Sequence, residues 1–145
     1  MIKQGKTVQQ AKRFGIFMCS QDARLVEVAQ HMVDEDISSL VVVDQGGFLA
    51  GIVTRVDLLR AYIEHEDWAD LPVSQFMIRN VYTVTSQDLL QYVAEFLLEK
   101  NIHRVVVVEE QNGRKKPVGV ISAADLVYHM VKDKAPEHKW MRGSE

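Results

Sequence analysis

The chain has 145 residues, 47% of them hydrophobic and 26% charged, and 17 basic against 20 acidic residues give a formal net charge of −3. These values are ordinary for a globular protein, and a mildly acidic chain without a basic block argues against binding to nucleic acid or to an anionic membrane surface. The single cysteine, Cys19, excludes an internal disulfide, and neither a membrane span nor an apolar signal segment is present, so we expect a cytoplasmic protein.

The first half of the chain is predicted to run strand, helix, strand, strand, helix. A short extended segment, 16–19, precedes apolar residues whose i, i+3, i+4, i+7 spacing indicates one face of an amphipathic helix; they are Leu25, Val28, Ala29, Met32 and Val33. The valine-rich run 40–43 indicates a buried strand, and a glycine-containing turn leads to a second strand, 48–53. A further helix is expected from Thr54 onward, followed by an acidic link, 64–72.

The second half of the chain repeats the first. A shift of 65 positions aligns the helical apolar residues and the valine-rich run, and a shift of 68 aligns Gly51 with Gly119 and Asp57 with Asp125. The difference is a three-residue insertion between the two later strands, in a stretch of turn composition where loops accept insertions at little cost. A unit of about 60 residues buries too little surface alone. The repeat therefore predicts an α+β fold in which two units pack sheet to sheet with pseudo-two-fold symmetry.

Two stretches, 51–59 (GIVTRVDLL) and 119–127 (GVISAADLV), resemble the signature that ends a CBS domain. The segment 102–108 resembles the strand that precedes this signature, and 73–77 resembles the usual start of a CBS repeat. The resemblance covers roughly residues 8–132 and is that of a stand-alone CBS-domain pair, or Bateman module.

The resemblance implies two tandem β-α-β-β-α repeats, at 8–66 and 73–132, followed by a C-terminal tail, 133–145. It also implies two clefts that bind adenosyl nucleotides of the AMP, ADP or ATP type, with NAD or S-adenosylmethionine as further ligands of relatives, and no required cofactor. Many such modules are homodimers, so we expect a homodimer that acts on a separate effector protein or through its own oligomer. The tail, which contains Trp140, is expected either to be disordered or to dock in the dimer.

Thr54 with Asp57, and Ser122 with Asp125, lie where a strand meets the first turn of a helix. A carboxylate can accept hydrogen bonds from both hydroxyls of a ribose, and a helix N-terminus suits an oxygen-rich or anionic ligand. The resemblance assigns the two aspartates to ribose and the two hydroxyls to ribose or phosphate. The alternative is structural, because the Thr-x-x-Asp and Ser-x-x-Asp patterns resemble helix capping boxes. The two roles are compatible.

Relatives often place Arg or His against phosphate at the positions of His103 and Arg104, where the first half has Ser38 and Ser39. Because a guanidinium presents a planar fork of donors that suits phosphate, we expect unequal clefts whose phosphate end depends mainly on His103 and Arg104. The alternatives are a surface ion pair for Arg104 and a hydrogen-bonded structural role for His103.

The resemblance places the adenine slot on the short extended segments; its expected lining is Ile16, Met18 and Cys19 in one half and Val81, Thr83 and Val84 in the other. Each of these residues has a core role as its alternative. The sequence contains no phosphate-binding loop, nucleophile elbow or zinc-ligand spacing. We therefore expect a regulatory sensor without catalytic activity or a metal. The second class that fits is a ligand-free CBS pair that mediates dimerisation or protein association.

Overall fold

The computed structural model describes residues 5–11 and 16–132, together with positions 134, 141 and 143. Apart from those last three positions, the predicted C-terminal tail, 133–145, lies outside the described residues. A short helix, α1 (Val8–Ala11), comes first along the chain. Across the described part of the chain, no helix combines the length and the apolar character that a membrane crossing requires.

Both halves adopt the predicted order of strands and helices. The first half contains β1 (Met18–Ser20), α2 (Leu25–Glu35), β2 (Ser39–Val43), β3 (Leu49–Thr54) and α3 (Arg55–Glu64). The second half contains β4 (Thr83–Val84), α4 (Leu90–Lys100), β5 (Arg104–Gln111), β6 (Arg114–Ser122) and α5 (Ala123–Lys132). Two short 3-10 turns, Trp68–Asp70 and Val73–Gln75, lie between them. The α+β class and the tandem repeat are confirmed.

Each half has its own three-stranded sheet, ordered β1-β2-β3 in the first half and β4-β5-β6 in the second. The leading strand pairs parallel with the central strand, which pairs antiparallel with the last strand. The antiparallel register places Ser39 opposite Thr54 in one sheet and Arg104 opposite Ser122 in the other. Residues directly opposite each other share a face of the sheet. These two pairs therefore occupy equivalent ends of the two sheets.

The central strands are buried on both faces because successive side chains point to opposite sides of a sheet. One set packs against the helices; it includes Leu40, Val42 and Val53 in the first half and Val105, Val107 and Ile121 in the second. The other set forms a cluster that joins the two sheets; its buried members are Val41, Ile52, Val106 and Val108. The predicted packing of sheet on sheet is thereby confirmed.

The segment that precedes each leading strand packs on the opposite half. Val8 lies in the core of the second half, and its N–H donates to the carbonyl of Asp88 at 2.8 Å. Val73, its equivalent at a shift of 65, lies in the core of the first half and donates to the carbonyl of Ala23 at 2.8 Å. The halves are therefore interlocked, and α1 contributes to the core of the second half.

The three-residue insertion lengthens the hairpin of β5 and β6 and carries it over the first half. Its turn is formed by Asn112 and Gly113, which both have positive φ, of 53° and 77°, as the common two-residue hairpin turn requires. Arg114, next to the turn, forms an ion pair with Asp44 and lies 4.0 Å from the centroid of the Phe48 ring. Hydrogen bonds from the backbone N–H groups of Phe48 and Gly46, together with the charge of Arg114, lower the pKa of Asp44.

The contribution of Asp44 to stability should depend on pH. Because the folded-state pKa is lowered from 3.8, the stabilisation is present above that value and is lost as the pH falls through the folded pKa. In urea unfolding, Asp44→Asn should lower the midpoint near pH 7, and this loss should shrink toward about pH 3. The exposed Asp22 provides a control, since Asp22→Asn should change little at either pH. A loss for Asp44→Asn that is the same at both pH values would contradict this role.

Gly51 allows the chain after the second 3-10 turn to lie directly against β3. A Cβ atom at this position would lie 2.7 Å from the carbonyl oxygen of Ile78 and 2.8 Å from Sδ of Met77. Ile52 and Ile78 exchange backbone hydrogen bonds of 3.0 and 2.8 Å at the same place. The absence of a side chain at residue 51 therefore permits this backbone pairing.

Substitution of Gly51 by alanine should destabilise the fold. A Cβ here meets backbone that cannot move without loss of the Ile52–Ile78 pairing, so Gly51→Ala should lower the free energy of unfolding by about 1–3 kcal/mol. Gly5→Ala is the matched control, because a Cβ at Gly5 has nothing within 4 Å. Chemical denaturation of both variants measures the difference, and equal stabilities would contradict the close approach.

Candidate functional site

Two clefts lie between the halves, at the ends of the sheets that carry the polar pairs. The first cleft has a volume of about 520 Å³. From the first half it is lined by Ile16, Phe17, Glu35, Asp36, Ile37, Ser38 and Ser39, and from the second half by Arg104, Val120, Ser122 and Asp125. It therefore combines apolar walls, hydroxyl groups, carboxylates and a guanidinium.

The second cleft has a volume of about 270 Å³. Strand β3 of the first half contributes Ile52 and Thr54, and the chain that follows the link contributes Ile78 and Asn80. The remaining lining residues belong to the second half; they are Val81, Tyr82, Asn101, Ile102, His103, Arg104 and Val106. Under the shifts of 65 and 68, most of these positions correspond to residues of the first cleft. The two clefts are therefore related by the internal repeat.

Each cleft is built from both halves in a crosswise manner. Ile16, from the leading segment of the first half, shares the first cleft with Ser122 and Asp125 of the second half. Val81, from the leading segment of the second half, shares the second cleft with Thr54 of the first half. A ligand in either cleft would therefore contact both repeats.

The structure shows the capping geometry at both predicted ribose positions. Asp57 Oδ2 accepts hydrogen bonds from Thr54 N at 2.8 Å and Thr54 Oγ1 at 3.0 Å, and Asp57 N donates to Thr54 Oγ1 at 3.3 Å. Asp125 and Ser122 repeat these contacts at 2.8, 3.1 and 3.2 Å. Each helix N-terminus is thus capped by its own hydroxyl and carboxylate.

The second carboxylate oxygens differ between the halves. The Asp57 side chain is only 6% exposed, and its Oδ1 lies 3.5 Å from the guanidinium of Arg60. Asp125 lines the first cleft, and its Oδ1 has no hydrogen-bond partner among the described residues. Because capping occupies Oδ2 alone, Asp125 keeps an acceptor for a ligand while it caps α5.

Arg104 lines both clefts. Its guanidinium is partly buried and donates to Ser38 Oγ, in the other half, at 3.0 Å. It forms no ion pair with any carboxylate in the described part of the chain. Burial lowers the pKa of Arg104, and the positive charge of Arg55 lowers it further. The side chain is thus a partly desolvated positive charge without a counter-ion among the described residues.

The other predicted phosphate residue, His103, is exposed and lines the second cleft only. Its backbone carbonyl accepts a hydrogen bond from Ala123 N at 2.8 Å, as the carbonyl of Ser38 does from Arg55 N at 3.2 Å in the first half. The structure therefore brings Arg104 to both clefts and separates His103 from the first.

The residues predicted to line the adenine slot divide according to the face of the strand. Ile16 and Val81 line the two clefts. Met18 and Thr83 pair with Val41 and Val106, so they lie on the faces that meet the other sheet. Cys19 and Val84 pair with residues of the opposite face and pack in the cores beneath the helices; their side chains do not line either cleft. Burial raises the pKa of the Cys19 thiol to about 11.

Several cleft residues were not predicted from the sequence. Phe17 and Tyr82 occupy equivalent positions at a shift of 65, as do Ile37 and Ile102, which follow the left-handed residues that end α2 and α4. The repeat alignment contained both pairs and was the signal that could have revealed them. No comparable signal marks Asn80, which reaches the second cleft through the close approach at Gly51.

The fold and the clefts define a class of protein: a tandem pair of α+β repeats with two ligand-sized clefts between the repeats. A family model described as the CBS domain matches residues 12–64 and 73–132. The chain belongs to the CBS-domain family and contains two CBS repeats, as its sequence signatures predicted.

Two relatives match this chain over only part of their own length. The transcriptional repressor CcpN of Bacillus subtilis is 29% identical over 99 residues, which are 67% of this chain and 47% of CcpN. The uncharacterized protein MJ1404 of Methanocaldococcus jannaschii is 25% identical over 114 residues, 79% of this chain and 26% of that protein. The chain therefore spans half or less of the length of these relatives.

Solved structures agree with the fold over nearly the whole chain. The CBS-domain protein ATU1752 of Agrobacterium tumefaciens has 25% identity and a TM-score of 0.75, over 90% of this chain and 98% of that one. The CBS pair of protein MJ0100, solved in complex with 5-methylthioadenosine and S-adenosyl-L-methionine, has 23% sequence identity and a TM-score of 0.77. CBSX2, solved in complex with AMP, has 21% sequence identity and a TM-score of 0.77. Each of these two matches covers 90% of this chain and 99% of the other chain. Some CBS pairs of this fold therefore bind adenosyl ligands.

The capping contacts predict a stability loss that does not require a ligand. Asp57→Ala and Asp125→Ala should each lower the free energy of unfolding of the ligand-free protein by about 1 kcal/mol, because each removes the carboxylate that accepts hydrogen bonds from Thr54 or Ser122 in a capping box. Asp67→Ala is a suitable control, since this exposed aspartate makes no side-chain capping bond. Urea unfolding compares the three variants, and wild-type stability in both capping variants would contradict the assignment.

Proposed function

We propose that this chain is a regulatory module that binds an adenosyl nucleotide between its two CBS repeats and has no catalytic role. The observation that carries the proposal is Arg104, a partly buried guanidinium without a carboxylate partner among the described residues, in the same cleft as Asp125. A desolvated cation is costly unless an anion approaches it. A phosphate group would supply that anion.

The first cleft offers a partner for each part of such a ligand. Asp125 retains a carboxylate oxygen for a ribose hydroxyl, and the guanidinium of Arg104 suits a phosphate. Ile16, Phe17 and Val120 provide an apolar wall against which a base can pack. Its volume of about 520 Å³ is within the usual range of small-molecule sites. MJ0100 and CBSX2 bind adenosyl compounds on the same fold, which supports adenine as the base.

The second cleft is proposed as the repeat-related site for the same class of ligand. It has Thr54, His103 and Arg104 as polar groups and Val81 and Tyr82 at the position of the apolar wall. It is smaller, and the buried Asp57 is engaged with Thr54 and Arg60. We therefore assign the stronger nucleotide site to the first cleft.

The affinity for nucleotide should depend on both Arg104 and Asp125, and the two substitutions should affect the binding of different parts of the ligand. Calorimetric titration of ligand-free protein with AMP, ADP, ATP, NAD and S-adenosylmethionine identifies the ligand. Arg104→Ala should weaken the best phosphate-containing ligand roughly 10- to 100-fold, the effect of about 1.5–3 kcal/mol for a hydrogen bond to a charged group. Asp125→Asn, which retains an oxygen to cap α5, should weaken the same ligand and its phosphate-free nucleoside alike.

Arg24→Ala is the matched control for the loss of positive charge. Arg24 pairs with Glu27 and Asp70 on the surface and lines neither cleft, so its removal should leave nucleotide affinity unchanged. If Arg104→Ala bound nucleotide as tightly as the wild type, the assignment of phosphate to Arg104 would be wrong. If no adenosyl compound bound to protein shown to be ligand-free, nucleotide sensing itself would be wrong.

A specific observation favours association as a second candidate function. The helices expose large apolar side chains on their outer faces; among them Val33 is 74%, Leu59 63%, Ile63 79%, Leu98 82% and Met130 68% exposed. Apolar patches of this kind are typical of protein interfaces, and a homodimer that covers them is part of the proposal. Sedimentation of the wild type and of Leu59→Glu and Leu98→Glu tests it, since a monomeric wild type would exclude the dimer.

A further inference from the structure

We infer that Arg104 is a single phosphate-binding cation shared by the two clefts, so that one anionic adenosyl ligand weakens the binding of a second in the same chain. The inference rests on the proposed function and concerns how the two sites are coupled. Its basis is that one residue, Arg104, lines both clefts. The equivalent position in the first half is Ser39, which brings no charge.

Strand register explains why one side chain can reach both clefts. Arg104 begins β5 and lies opposite Ser122, two residues before Val106 of the cluster that joins the sheets. It therefore projects from the face where the sheets meet, at the rim of that contact. Its bond of 3.0 Å to Ser38 Oγ places the guanidinium against the other half.

No other described side chain in the two clefts supplies such a charge. Among the described residues that line them, Arg104 is the only lysine or arginine. The remaining charged lining groups of the first cleft are the carboxylates Glu35, Asp36 and Asp125, which repel an anion. The nearby Arg55 is engaged by Asp36 at 3.4 Å. Two phosphates in one chain would consequently depend on the same guanidinium.

A guanidinium binds phosphate through a planar fork of N–H groups, and one fork can point toward only one phosphate at a time. A ligand whose phosphate binds the guanidinium in one cleft leaves the other cleft without charge-assisted hydrogen bonds to phosphate. By thermodynamic linkage the effect is reciprocal. A phosphate-free nucleoside has no group that binds the guanidinium, so its two binding steps should not be coupled in this way.

Calorimetric titration of ligand-free wild-type protein with AMP and with adenosine tests the inference. We expect AMP to bind in two steps per chain that differ at least tenfold in affinity, and the two steps of adenosine to differ much less. In Arg104→Ala, the first AMP step should weaken toward the affinity of the second step, which the guanidinium does not assist, and the separation of the two steps should fall to that seen with adenosine.

A variant that adds a second guanidinium provides a more specific test. Ser39→Arg places a second guanidinium at the repeat-related position, and the two AMP affinities should then converge. Ser39→Gln is the control, because it adds a long neutral side chain at the same place and should leave the separation unchanged. The comparison of wild type with Arg104→Ala stands alone if thermal unfolding shows that Ser39→Arg does not fold.

The outcomes distinguish this inference from the proposed function. Two equal and independent AMP sites in the wild type would overturn sharing and leave nucleotide binding intact. If the two adenosine affinities differed as much as the two AMP affinities, the inference would also be overturned, because the difference would then arise from the clefts themselves and not from the shared guanidinium. Absence of binding by any adenosyl compound would overturn both.

Discussion

The contact between the valine-rich faces of the two sheets is the constraint on which the rest of the structure depends. β2 and β5 are central strands with apolar side chains on both faces, and the helices of a half can cover only one of these faces. Val41, Ile52, Val106 and Val108 leave water only when the halves meet, at a gain of roughly 25 cal/mol per Å² of apolar surface. Each half therefore completes the core of the other.

The clefts follow from where this apolar contact ends. The alternation that places Val41 and Val106 in the sheet-to-sheet cluster continues outward to Ser39 and Arg104, whose polar side chains do not join the apolar core. Their antiparallel partners, Thr54 and Ser122, cap the helices that begin there. The interface thus ends in hydroxyl groups, helix N-termini and one guanidinium, a set of groups suited to an oxygen-rich ligand.

Much of this arrangement could be predicted from the sequence because it repeats locally. The alignment at a shift of 65 revealed the repeat, and the valine-rich apolar runs predicted the strands. The prediction of Cys19 and Val84 in the adenine slot did not use the alternation of side chains along a strand, which places them beneath the helices beside Val42 and Val107. The crosswise pairing of Ile16 with Asp125, and the reach of Arg104 into both clefts, depend on how two separate sheets meet. That relation is not encoded in the spacing of residues within either repeat.

The proposed role of the Arg104 guanidinium also connects ligand binding to the contact between the halves. A guanidinium has five N–H groups, and Ser38 accepts from only one nitrogen of Arg104 across the interface. A bound anion can therefore use the remaining donors without breaking the bond to Ser38, and it replaces water around a charge that burial disfavours. Because each cleft has walls from both repeats, the same ligand adds contacts between the halves. Under the proposed function, ligand occupancy would thus stabilise the sheet-to-sheet interface itself, and a partner that recognises the outer helices would respond to a change in how firmly those helices are held together.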